Sequence, residues 1–374
     1  MAAPAITGFV PPTTESLSPE WLTAVLRQSR AVTHARVASV AVTPISTGRG
    51  FIGQSARLRI EYDATEAGAP ATLFVKLSSA DLAIRQKLRS LGFYETEAGF
   101  YRDLAALKTF PIRVPRCYFS LHDDKSGASI VLLEDLGDAR FGDNLVGCSL
   151  REARSVVCHL ALLHGHFWEN PHLKRCRWLR SAADDRESRT AIYRAMLPVF
   201  EQRCAQMLTS DFLNTAKKFA EVLPAYSEEL TRGPNTLVHG DFRPDNFAWI
   251  TTPEGSDLLV VFDWQGVRRS LGARDLAYFI SISMPIEQRR SVEEELLEAY
   301  YQILLDCGVK DYSFEDLARD FQVELGGLLV TAVTASGMLD WSSERATYLL
   351  RELSARTAAA LEDHQFGCYL GTLR

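Results

Sequence analysis

Up to about residue 134, the apolar positions of the chain fall mostly in short β-branched or alternating runs. Val37 to Ile45, Ala56 to Tyr62, Ala71 to Leu77, Val114 to Leu121 and Ser129 to Leu133 are separated by turn residues, and each reads as a strand. Between the third and fourth of these, Asp81 to Leu107 spaces its apolar residues as a helix does and predicts one helix. The early links are too short for parallel crossovers, so a mostly antiparallel sheet with one packed helix is expected.

From residue 149 the period becomes that of helices. Ser149 and Glu152 form a capping box ahead of an apolar-rich helix, Leu150 through Trp168. Further helices are expected at about Thr190 to Leu208, Asp211 to Leu223, Ala273 to Met284, Ser291 to Cys307, Phe314 to Leu339 and Ser343 to His364. Two short β segments, Phe247 to Ile250 and Leu258 to Phe262, interrupt this helical region. At 374 residues the chain exceeds the size at which one core usually keeps growing. The last strand stops near Val131 to Asp138, which predicts an N-terminal lobe of residues 1–134 and a C-terminal lobe of residues 135–374.

One stretch of the second half fits neither period. Leu237 to Trp249, LVHGDFRPDNFAW, places His239, Asp241, Arg243, Asp245 and Asn246 between apolar flanks. A histidine, any residue, an aspartate, four residues and an asparagine is the spacing of a kinase catalytic loop. That chemistry needs a carboxylate to orient and deprotonate a hydroxyl, oxygen ligands for magnesium, and cations over the phosphates. Other residues stand in matching order. Asp263 follows a run of apolar residues, and Lys76 sits within an otherwise apolar strand, where a charge is costly without a partner. Gly48, Gly50 and Gly53 precede a strand, where small residues let backbone N–H groups approach phosphate oxygens, although such a loop by itself is often only a hairpin.

With glycine in its second position, His239-Gly240-Asp241 resembles the loop of the aminoglycoside phosphotransferase, choline kinase and ecdysteroid-kinase-like superfamily. VLLEDLGDARFGD, from Val131, and LALLHGHFW, from Leu160, resemble the ecdysteroid-kinase-like branch in particular. The resemblance covers roughly residues 37 to 340. It implies an α+β, protein-kinase-like two-lobe fold with a small antiparallel-sheet N-lobe carrying one helix and a larger, mainly helical C-lobe. It also implies ATP and Mg2+. By the same resemblance Asp241 is the catalytic base and Arg243 stabilises the transferring phosphoryl group, or else pairs with Asp245 or another carboxylate. Asn246 and Asp263 hold the metal. Lys76, paired with Glu97 (or Glu95), meets the phosphates under a flap of Gly48, Gly50, Gly53 and Ser55, and the backbone of Glu134 and Leu136 meets the adenine edge. Asp275 and His239 support the loop. His159, His164 and His166 are spaced for core packing rather than for a shared metal face.

About ten residues, Trp264 to Ala273, separate Asp263 from the next helix, which leaves no room for the activation segment of a protein kinase. A small molecule bearing a hydroxyl is the expected acceptor. Trp168, Trp264, Tyr278, Tyr300, Tyr301 and Trp341 are aromatic candidates for its pocket. The branch resemblance favours a relatively apolar, steroid-like or lipid-like metabolite over choline, another amino-alcohol, an aminoglycoside or a macrolide. Glu293, Glu294, Glu295 and Glu298 read as a solvated helix face rather than a site for cations. A catalytically silent nucleotide-binding protein of the same fold is the alternative of another class, and a dehydrogenase would need a parallel sheet that the pattern does not provide.

The net charge of −6, without a Lys/Arg run, argues against a nucleic-acid partner. Seven scattered cysteines read as reduced thiols, and the N-terminus lacks the pattern of a signal peptide, so a cytoplasmic location is expected. Leu325 to Leu339 is too short and too interrupted to span a bilayer. Nothing in the sequence sets an oligomeric state.

Overall fold

The computed structural model describes residues 8–45, 53–204, 207–338 and 344–373. By internal contacts the chain divides into two units, Met1–Ala139 with Ile250–Gly266, and Arg140–Trp249 with Val267–Arg374.

The first unit opens with helix α1, Pro19–Gln28, capped by Ser18, whose side chain accepts the Trp21 N–H. Strands β1 (Val37–Pro44), β2 (Gly53–Tyr62) and β3 (Thr72–Ser78) follow, then α2 (Leu82–Leu91), α3 (Phe93–Gly99), β4 (Cys117–Asp123) and β5 (Ala128–Glu134). The strands form one sheet in the order β1-β2-β3-β5-β4, antiparallel throughout. Alternation along β3 turns Leu73, Val75 and Leu77 to one face, where they pack in a core with Trp21, Leu22, Val25 and Leu26 of α1. Trp21 meets Phe119 edge to face at 5.4 Å. Lys76 and Ser55, which pair across β2 and β3, stand among residues of the other parity.

In the first unit two features differ from the expectation. Helix α1 lies before the first strand that the periodicity picked out, although the Ser-Pro start is an ordinary helix signal. The helix expected over Asp81 to Leu107 is divided in two. Gly92, in the left-handed region at φ 78°, ends α2, and the chain restarts as α3 before one wider turn, Phe100–Leu104, in which the Ala105 N–H donates to the Phe100 carbonyl.

The second unit is built from α4 (Leu150–His166), α5 (Pro171–Arg175), α6 (Arg186–Cys204), α7 (Ser210–Glu229), α8 (Ala273–Ile282), α9 (Ile286–Asp306), α10 (Phe314–Met338), α11 (Glu344–Asp363) and α12 (Phe366–Leu370). The capping box of Ser149 and Glu152 starts α4 where the sequence places it. Helix α4 packs on α9, and α10 packs on α6 and α8. A two-stranded ladder, Thr236–Val238 with Arg268–Ser270, leads into the polar loop. No helix among the described residues is long and apolar enough to cross a membrane.

Helix α10 carries one costly group into this interior. Glu324 is 1% exposed, its nearest cation is the Arg274 guanidinium at 3.8 Å, and its Oε1 has no hydrogen-bond partner. Burial pushes its pKa up to about 7, against the pull of Arg274 and Arg189. A carboxyl that ionises later in the folded than in the unfolded chain weakens folding as pH rises between the two values. Glu324→Gln is therefore expected to raise stability near pH 8 by at most about 3 kcal/mol and to add nothing below about pH 4.5. Urea titrations at the two pH values measure this, and a gain of equal size at both would contradict the assignment.

Candidate active site

In the first unit the site is organised by one ammonium group. Lys76 Nζ lies 2.7 Å from Glu97 Oε1 and 2.7 Å from Asp263 Oδ1. Glu97 comes from α3, and Asp263 from the residues just after the strand Asp257–Val261. All three side chains are largely buried, at 9 to 13% exposure. Burial alone would lower the lysine pKa, but Asp263 and Glu97 outweigh it and raise the value. Glu97 is raised, first by burial and then by Asp263, against the pull of Lys76. Asp263 itself stands at φ 64°, in the left-handed region that a non-glycine residue rarely occupies. The Trp264 ring next to it stacks on Phe100 at 4.1 Å and is fully buried, which anchors the segment and removes Trp264 from the candidates for an acceptor wall.

A small cleft beside this triad is lined in part by Gly53, Ser55, Lys76, Ser78, Glu97 and Gln265. At Gly53 an added Cβ would collide with the Leu77 carbonyl oxygen, so the close approach of β2 to β3 requires glycine there. Gly48 and Gly50 lie outside the described residues, as does Trp341. Glu134 ends β5. Its side chain is held by Arg113 at 2.5 Å and by the Arg116 N–H at 2.9 Å, and its backbone N–H donates to the Arg116 carbonyl. Leu136 follows, with its carbonyl accepting the Ala139 N–H.

In the second unit the loop His239 to Asn246 is fixed from beneath by α8. Asp275 accepts the His239 N–H at 2.5 Å and the Gly240 N–H at 2.9 Å. The left-handed turn that aims both amides at this one carboxylate needs Gly240, at φ 84°. Asp275 also lies 3.5 Å from His164, whose other ring nitrogen meets Tyr300 Oη at 2.7 Å, so His164 and Tyr300 belong to the buried support of the loop. Among the described residues no three His, Cys, Asp or Glu side chains are placed to hold a metal ion, His159, His164 and His166 included. Phe242 points inward against Phe247 and Phe279, and Asp245 accepts the Asn144 N–H at 3.0 Å.

The loop presents Asp241. Its Oδ1 accepts the Tyr278 hydroxyl at 2.9 Å, and its Oδ2 accepts from Asn246 Nδ2 at 2.9 Å. Arg243 lies 3.1 Å from Asp241 and 3.4 Å from Asp245, so its guanidinium bridges two carboxylates of its own loop. Burial pushes the Asp241 pKa upward, but Arg243, His239 and the Tyr278 and Asn246 hydrogen bonds together hold it below the ordinary value. Asp241 is thus an ionised carboxylate, still 31% exposed, with a fixed orientation. Asn246 also donates to the Asp241 carbonyl at 2.8 Å, which commits its amide nitrogen and leaves the amide oxygen for another partner.

By sequence Tyr278 is only one aromatic candidate among several, yet it holds the carboxylate of the loop. The signal was its place three residues after Asp275 on α8, on the same helix face. Of the other aromatic candidates, Trp168 packs on Tyr312, Tyr300 on His164, and Tyr301 bonds to the Tyr312 carbonyl.

The chain resembles solved structures of small-molecule kinases with a protein-kinase-like fold. One is a putative aminoglycoside phosphotransferase from Ralstonia eutropha, with 15% identity, a TM-score of 0.51, and coverage of 92% of this chain and 97% of that one. Another is choline kinase from Cryptosporidium parvum, with 10% identity, a TM-score of 0.57, and coverage of 94% and 99%. At such identities the likeness bears on the fold alone, here an antiparallel-sheet N-lobe and a larger helical C-lobe. No curated protein matches the chain in sequence. The model of the ecdysteroid kinase-like family matches residues 47–311. The chain belongs to that family, one of kinase-like small-molecule phosphotransferases.

Proposed function

We propose that the protein transfers the γ-phosphoryl group of ATP to a hydroxyl of a relatively apolar small molecule, steroid-like or lipid-like, with magnesium as cofactor. The observation that carries this reading is Asp241, a partly buried, ionised carboxylate oriented by Tyr278 and Asn246 in a loop of kinase spacing. In this reading Asp241 accepts the proton of the acceptor hydroxyl as that oxygen bonds to the γ-phosphorus. The bond from the γ-phosphorus to the β–γ bridging oxygen breaks, and ADP leaves. Arg243, already beside Asp241, contributes positive charge where the transferring group gains negative charge.

The residues present fit the nucleotide and its metal. Asn246 and Asp263 offer an amide and a carboxylate oxygen, the hard donors that magnesium takes. Bound magnesium would neutralise charge on the phosphate oxygens. Lys76 is aimed by Glu97 and Asp263, and with Gly53 and Ser55 it lines a polar cleft suited to phosphate. The hinge assignment of Glu134 and Leu136 and the flap assignment of Gly48 and Gly50 complete the nucleotide site in this reading. The lobes assigned to these roles are residues 1–134 and 135–374, and a cytoplasmic location is part of the same proposal.

Release of ADP in the presence of Mg-ATP tests the reading, with hydroxysteroids, hydroxylated acyl chains, amino-alcohols and aminoglycosides as acceptors and Asp241→Asn protein as the blank. Turnover above the blank is expected for a hydroxysteroid or a hydroxylated acyl chain. Bound Mg-ATP with no turnover for any class would instead favour a silent nucleotide-binding protein.

A further inference from the structure

Helix α8 carries a second polar residue on the Tyr278 face. Arg274, one turn earlier, holds its guanidinium carbon 5.8 Å from the Tyr278 ring centroid. Tyr278 reaches Asp241 with its hydroxyl, so an unbroken line of side chains runs from the carboxylate of the loop to a guanidinium. Arg274 is seated on α10. Its Nη2 donates to Thr331 Oγ1 at 3.4 Å, and a Cβ at Gly327 would collide with its Nη1, so the helix backbone is bare where the guanidinium rests.

Two more arginines belong to the same cluster. Arg189 of α6 donates to Ser227 Oγ and to the Ala182 carbonyl, both at 3.1 Å. Arg268 lies 3.1 Å from Asp185, a carboxylate that it shares with Arg180 at 2.6 Å. The arginines feel one another: burial lowers the Arg268 pKa, and Arg274, Arg189 and Arg180 lower it further against Asp185. The negative groups are few. Glu324, beside Arg274, has one oxygen without a partner and is about half protonated near neutral pH. Asp275, also near Arg274, is committed to the loop amides and His164. Positive charge is thus concentrated beside the loop of a chain whose net charge is −6. Arg268 and Arg274 keep 31% and 17% of their side chains exposed, and Asp241 keeps 31%.

We propose that the acceptor carries an anionic group, a carboxylate or a sulfate or phosphate ester, and that Arg274, with Arg268 and Arg189, recognises it. This rests on the phosphotransfer reading and names the class of its acceptor: an apolar body with a hydroxyl at Asp241 and an anion beyond Tyr278. Guanidinium groups meet the oxygens of such anions two at a time, and a quaternary amine would be repelled from them.

The probes are a hydroxylated fatty acid and a hydroxysteroid carboxylate, each beside its own methyl ester, with the sulfate and phosphate esters of the same steroid as further arms. Binding is measured by calorimetry on the full chain carrying Asp241→Asn, and transfer by ADP release from the unsubstituted chain. Each acid is expected to bind about tenfold or more tightly than its methyl ester. Arg274→Gln should close that gap and Arg274→Lys restore part of it. Arg268→Gln, narrowing the same gap, serves where Arg274→Gln lowers the melting temperature. Equal binding of acid and ester, no binding of any probe, or a gap that survives both Gln variants would overturn the proposal. ADP release separates the two readings. An acid–ester gap in binding with no ADP formed leaves the anion site standing and removes the phosphotransfer reading. ADP formed equally from acid and ester does the opposite. A steroid sulfate or phosphate that outbinds the carboxylate identifies the preferred anion.

Discussion

Asp241→Asn is expected to slow phosphoryl transfer by roughly 10²- to 10⁴-fold, the usual contribution of a positioned general base. Asparagine keeps the size of the side chain and an oxygen to accept the Tyr278 hydroxyl, so the loop should retain its shape. What it loses is the charge. The wild-type carboxylate is held below the ordinary pKa by Arg243, His239, Tyr278 and Asn246, against burial, and so stays ionised as pH falls through the usual carboxylate range. Transfer by the wild type should accordingly fall off at a lower pH than an unperturbed carboxylate would require, provided the chain stays folded. The affinity for Mg-ATP should change little, because Asp241 is assigned to the acceptor and not to the phosphates. Single-turnover rates and nucleotide titrations measure the two quantities separately. Equal rates for wild type and variant would remove Asp241 from the mechanism.

Lys76→Met should cost both stability and activity. Its removal leaves Glu97 and Asp263 buried near one another without the ammonium that each touches at 2.7 Å. Stranding buried charges in this way costs about 3 to 5 kcal/mol. The direction with pH follows from the shifts. In the wild type the Lys76 pKa is raised, so its contribution is fully present below the unfolded value of 10.5 and is lost only as pH rises through the folded one. In the variant Glu97, whose pKa burial already raises, loses the pull of the ammonium and holds its proton to higher pH than in the unfolded chain, so the deficit should be large near pH 8 and shrink toward pH 5. Denaturation curves at both values test this. A deficit independent of pH would mean that lost packing, and not charge, explains the effect. Adding Glu97→Gln to Lys76→Met should recover part of the stability but none of the transfer, since the cation over the phosphates is still missing.

Much of this architecture was legible in the residues. Strand alternation set which side chains of β3 enter the core with α1, and the Ser149–Glu152 box set where α4 begins. The spacing from His239 to Asn246 placed both residues in one loop, and the structure adds the Asn246 hydrogen bond to Asp241. Such features depend on neighbours within a few residues, and local periodicity, caps and turns carry that information. Among local features, helix α1 and the helix division at Gly92 were not anticipated, the latter because an isolated glycine is tolerated in a helical pattern until packing decides whether it becomes a cap.

Tertiary structure alone decided the pairings between distant residues. Lys76 and Asp263 meet across 187 positions, and the sequence showed only that a buried lysine would need a partner, for which Glu97 was one candidate. Arg243 was open between a phosphoryl contact and a loop ion pair; packing brought Asp241 and Asp245 within its reach. Tyr278 became the partner of Asp241, while Trp264 and Tyr300, equally aromatic, became core. The grouping of Arg189 and Arg268 with Arg274, the arginine that lies over that tyrosine, has no pattern along the chain, because the three come from a helix, a strand and a second helix. The sequence by itself determined the element types and the chemistry of the loop, through periods and spacings that each segment carries alone. Which charges face one another depended on how those segments pack, and for a buried charge the identity of its neighbours sets both its cost and its use.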